Sequence, residues 1–157
     1  MARGDGSKVV VLCLGLAALA GGCGGSGGST TISSQVLSGK IGGQPWTFAT
    51  GETDSYLSTA SKYAVNAYAE TFTPCTGYVS TTADTLYLNF PAAVGHYAVS
   101  VELNQTFYVA ATNDNLVATS GEIDITDLTA TTITGGASFA FDANNSVNGQ
   151  FVATICP

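Results

Sequence analysis

Short runs with period-two alternation, each cut by turn-forming residues, constrain this chain more than any other feature. Residues 85–90 (TLYLNF) set Leu86, Leu88 and Phe90 against Thr85, Tyr87 and Asn89. Residues 121–128 (GEIDITDL) turn Ile123 and Ile125 one way and Glu122, Asp124 and Thr126 the other. Residues 97–103 (YAVSVEL) place Tyr97, Val99, Val101 and Leu103 on one face, and residues 138–142 (SFAFD) put Phe139 and Phe141 together. Successive side chains of a strand point to opposite faces, so such runs describe half-buried antiparallel strands. Abundant Thr and a single Met agree with β structure rather than helix.

The remaining strands follow from the turns. Lys40–Ile41 and residues 46–50 (WTFAT) form an opening hairpin. Residues 105–111 and 115–119 flank a turn at Thr112, Asn113 and Asp114. Residues 132–142 and 147–156 make a closing hairpin around Ala143, Asn144, Asn145 and Ser146. Too few residues separate Asn148-Gly149 from that turn for a strand to fit between, so Gly149 reads as a bulge or a close backbone approach. Residues 57–71 admit a short helix or a strand, and strand is preferred. The expected fold is all-β, an antiparallel sandwich or barrel of about 8–10 short strands in residues 36–157.

The first part of the chain obeys a different grammar. Arg3 and Lys8 precede an apolar run at residues 9–20, too short to span a bilayer but suited to the core of a signal peptide. Small residues Ala20, Gly21 and Gly22 lead to Cys23, and a Gly/Ser stretch follows. This pattern resembles the lipobox of bacterial lipoproteins, with Ala20 where Leu is usual. The resemblance implies cleavage after residue 22 and acylation of Cys23, which becomes the first residue of the mature chain. Residues 23–35 then act as the lipidated terminus and a tether with a reach of roughly 20 Å. Gly24 is not the Asp that diverts lipoproteins from outer-membrane sorting in enterobacteria, so the outer membrane is the expected address. Two glycine motifs here are coincidental. Gly24-x-Ser26-x-Gly28 and Gly22-x-Gly24-x-x-Gly27 match a nucleophile elbow and a dinucleotide fingerprint, but lack the strand before and helix after that each requires.

Without residues 1–22, Lys40 and Lys62 face ten acidic residues, a net charge of about −8. That sign repels phosphate backbones, so nucleic acid is not an expected partner. Of four cysteines, Cys13 departs with the signal and Cys23 takes lipid, leaving Cys75 and Cys156 to pair as a disulfide in an oxidising compartment. With two distant cysteines and one histidine, the domain is a poor zinc site.

His96, the only histidine, falls at a strand start or on an outward face, where a solvated role is expected. Glu122, Asp124, Asp127 and Asp114 gather along the chain. Paired carboxylates serve glycoside hydrolysis or calcium binding, but an acidic strand face has the same appearance. Outward rings such as Tyr87 and Tyr108 are candidates for stacking a sugar or touching a partner. No catalytic residue and no cofactor are expected.

The whole layout resembles uncharacterised small lipoproteins of Gram-negative bacteria, especially glycine-rich myxobacterial ones. The residues that carry it are Gly39-Lys40-Ile41-Gly42-Gly43-Gln44-Pro45-Trp46, Phe90-Pro91 with Gly95-His96-Tyr97, the strand at residues 120–125, Phe139 and Phe141, and the terminal Cys156. The resemblance implies an envelope lipoprotein with a binding or structural role at the membrane surface, attached to the bilayer through Cys23. Its further partner would be a protein, a glycan or a small molecule. The alternatives are a β-barrel holding a small apolar ligand, or a carbohydrate-acting or metal-dependent enzyme.

Overall fold

A computed structural model describes residues 31–77 and 82–157. The signal sequence, Cys23 and Tyr78 lie outside the described residues.

The chain forms eleven strands and, among the described residues, no helix: β1 (Ser38–Ile41), β2 (Gln44–Thr47), β3 (Thr50–Thr53), β4 (Lys62–Tyr68), β5 (Thr85–Pro91), β6 (Gly95–Ala98), β7 (Thr106–Val109), β8 (Asp114–Val117), β9 (Ser120–Leu128), β10 (Thr132–Asp142) and β11 (Asn145–Thr154). All belong to one sheet, ordered β6-β9-β10-β11-β3-β4-β5-β7-β8, with β1 joining β11 and β2 joining β1. The sheet curls into a half-barrel, so its two wings face each other. Phe107 of β7 meets Phe139 of β10 edge to face at 6.0 Å across that space. Leu86, Leu88, Phe90, Ile123, Ile125 and Phe151 complete a core filled by side chains.

The expected all-β class is found, as are the opening and closing hairpins. The first turn is Gly42-Gly43, both at positive φ (58° and 78°), as a two-residue type I′ turn requires. Residues 62–68 are strand, not helix. Gly149 has φ 147°, and a Cβ there would sit 2.6 Å from the backbone of Gln35 and Leu37, which is a close approach.

Four details differ from the sequence reading. Pairing between the strands is antiparallel except where β11 runs parallel to β3, at Thr154 opposite Glu52, and an isolated bridge between Val36 and Gln150 is also parallel. The run at residues 46–50 breaks at Phe48 and Ala49, whose amides bond to Leu37 and Tyr68 carbonyls, so the chain leaves one wing and enters the other. The run at residues 97–103 ends as strand at Ala98; Ser100 Oγ accepts the Leu103 amide in a turn, and Val101 is 94% exposed. Phe139 is buried but Phe141 is 39% exposed, because a register shift between Ala140 and Asp142 changes the phase of β10.

Candidate functional site

The outer face of the β3-β4-β5-β7 wing carries the richest chemistry. Register places Glu52, Asn66, Tyr87 and Thr106 in one row across four strands. Tyr108 stands diagonally beside Tyr87, since its own partner is Thr85. The two rings lie 6.5 Å apart at 52°. β5 pairs with β7 because β6 departs to the far edge of the sheet beside β9. The Tyr108 hydroxyl donates to Asn113 Oδ1 at 3.0 Å, which ties it to the β7–β8 turn.

Asp54, just after β3, supplies a carboxylate to the same face. Its Oδ1 accepts the amides of Tyr56 (2.8 Å) and Leu57 (3.0 Å), which fixes the following turn. Its Oδ2 accepts Asn66 Nδ2 at 3.5 Å. The turn presents Tyr56, 97% exposed. Burial raises the pKa of Tyr87, and the neighbouring Tyr108 and Asp54 raise it further.

Beside this row an open cleft of about 270 Å³ is lined by Glu52, Asp54, Tyr56, Asn66 and the disulfide. Cys75 and Cys156 are joined as expected, with Cα atoms 5.4 Å apart. Glu52 is buried behind them, and its carboxylate accepts the Cys75 amide. Ligand atoms of Glu52, Cys75 and Cys156 lie within 4.8 Å of one another. The two sulfurs are bonded to each other, however, and a metal site needs thiolates. The trio is a staple against a carboxylate.

The other candidates are placed elsewhere. His96, exposed on edge strand β6, has Nε2 3.3 Å from Oε2 of the largely covered Glu122 on β9. Asp124 lies opposite His96 in register. On β9 the pairing with β10 skips Thr126, so Thr126 and Asp127 are both exposed and Leu128 returns to the core. Asp114 is exposed on β8 at the opposite edge of the sheet. Asp114 thus stands apart from Glu122, Asp124 and Asp127, which all lie on β9. Asp54, Asn66 and Glu52 are site residues that sequence reasoning missed. The Asp54-Ser55 pair is a local turn former, but nothing in it points to Glu52, Asn66 or Tyr87.

No family model, no curated protein and no solved structure matches this chain.

Proposed function

We propose that this chain is an exported lipoprotein, acylated on Cys23 and held at the outer membrane, whose β domain binds an uncharged glycan on its outer face and carries out no catalysis. The export and anchor reading is supported by the order of positive end, apolar run, small residues, Cys23 and Gly/Ser stretch. The observation that carries the binding reading is the Tyr87–Tyr108 pair set beside Asn66 and the Asp54 carboxylate. Aromatic faces stack on the apolar side of a sugar ring, while an amide and a carboxylate take its hydroxyls. A net charge of −7 for the whole chain disfavours anionic polymers and leaves neutral ones acceptable.

A hollow barrel for an apolar ligand draws less support. The space between the wings is filled by Phe107, Phe139, Phe151 and their neighbours.

Two variants test the two halves of the proposal. Cys23→Ser releases the protein to the soluble fraction if the anchor reading is right, and leaves it in the membrane if wrong. In that soluble background, Y87A/Y108A abolishes retention on immobilised neutral envelope polysaccharide. Unchanged retention, or none before substitution, refutes the glycan reading.

A further inference from the structure

The chain leading from the expected anchor does not leave the domain freely. Ser33 donates its amide to Asn148 Oδ1 at 2.7 Å, and Asn148 Nδ2 donates back to the Thr31 carbonyl at 3.2 Å. Gln150 Nε2 holds the Ser33 carbonyl at 2.8 Å. Main-chain bonds from Leu37 to Gln150 and from Gln150 to Gln35 continue the attachment. Ile32 lies over Gly136, where a Cβ would meet it at 2.6 Å. Residues 31–35, which composition assigned to the tether, are therefore hydrogen-bonded along β11, with Ile32 packed on β10.

This sets a short leash. Eight peptide links separate Cys23 from Thr31. Fully extended they span at most about 28 Å, and as a flexible coil about 16 Å. Whatever surface lies beside residues 31–36 is thus the surface kept nearest the bilayer.

That surface is an apolar groove of about 410 Å³. Val36 and Val152 form its rim, 54% and 55% exposed. Phe48 and Phe151 meet in it edge to face at 6.3 Å, and Ser34, Thr134 and Gln150 supply its polar lining. Among the described residues, no charged side chain lines it. One wall is the very segment that arrives from Cys23.

We propose that the Val36–Phe48–Val152 groove is the lipid-facing surface of the anchored domain, seated at the headgroup–acyl boundary of the bilayer. This rests on the anchor reading above. The apolar rim enters the boundary as amphipathic surfaces do. The acidic character of the chain makes zwitterionic lipid the fitting surface, since the described residues of the groove include no basic cluster to attract anionic headgroups.

The test uses the mature acylated chain in vesicles of phosphatidylethanolamine and dibrominated phosphatidylcholine. V152W places a reporter on the groove rim. V36W is a second reporter, and V117W, on the exposed β8 edge, is the control. Trp46 is buried and supplies a constant background. The proposal expects loss of most of the V152W and V36W emission, with V117W nearly unquenched. Equal quenching at all three positions, or none at the groove, overturns it. The acyl group is read separately by intact mass. An acylated chain with an unquenched groove sinks this proposal alone, whereas an unacylated chain sinks the anchor and this proposal with it.

Discussion

Gly149→Ala removes no side chain, yet it should be among the most damaging single changes in the domain. Its φ of 147° is one that L-residues avoid, and forcing it costs about 1–3 kcal/mol. The added methyl would also stand 2.6 Å from the Gln35 carbonyl oxygen and from the Leu37 nitrogen and Cα. These are main-chain atoms held by two hydrogen bonds, Leu37 to Gln150 at 2.8 Å and Gln150 to Gln35 at 2.7 Å. Relieving the clash breaks both, each contributing about 0.5–1.5 kcal/mol. The sum is about 2–6 kcal/mol, before counting any shift of the fully buried Leu37 side chain. Gly43→Ala is the matched control. Its φ is 78°, but the nearest atom, Asn144 Oδ1, is at an ordinary 3.6 Å. That change should cost only about 1–2 kcal/mol of left-handed strain. Urea unfolding of both variants, followed by Trp46 fluorescence in the Cys23→Ser background, measures the difference. A Gly149→Ala protein within about 1 kcal/mol of its parent would refute the argument. So would a Gly43→Ala protein destabilised equally.

Three further outcomes are expected. Replacing both Cys75 and Cys156 by Ala frees a loop whose ends are 81 residues apart, and should remove about 4.5 kcal/mol in the chain-entropy model, read as a lower urea midpoint and checked against the reduced parent. Gln105→Ala should cost about 2–4 kcal/mol, because this fully buried amide bonds the Asn89 amide and carbonyl and the Leu103 carbonyl, which an alanine leaves unpaired. Tyr87 holds its proton more tightly folded than unfolded, so its share of stability is intact below the ordinary tyrosine range near pH 10 and falls as pH rises through the higher folded value. Tyr87→Phe should flatten that alkaline decline, and an unchanged pH profile would contradict the assignment.

What could be read from the sequence was what local physics determines. Leu86, Leu88 and Phe90 alternate cleanly and are all fully buried in β5, and Ile123 and Ile125 do the same in β9. The opening hairpin and the close approach at Gly149 were legible too, and the structure puts the hairpin's turn at Gly42-Gly43. The failures arise where a partner strand decides. Val101 continues the alternation of Tyr97 and Val99, but β6 stops at Ala98 and the residue points into solvent. Phe141 is turned outward by an irregularity on β10 that alternation alone does not reveal. The site suffers most. Tyr87 and Tyr108 were singled out one by one as outward rings, but their adjacency depends on β5 skipping β6 to pair with β7. Glu52 sits in a four-residue strand too short to show a period, and its place beside Asn66 comes from long-range register.

Both the glycan proposal and the lipid-facing groove place this domain at a membrane through Cys23. The most direct test is the mass of the N-terminal peptide of the protein isolated from its native membranes. The account predicts a chain that begins at Cys23 and carries a diacylglyceryl group on its sulfur. A mature chain that begins elsewhere, or that begins at Cys23 with an unmodified thiol, would contradict it.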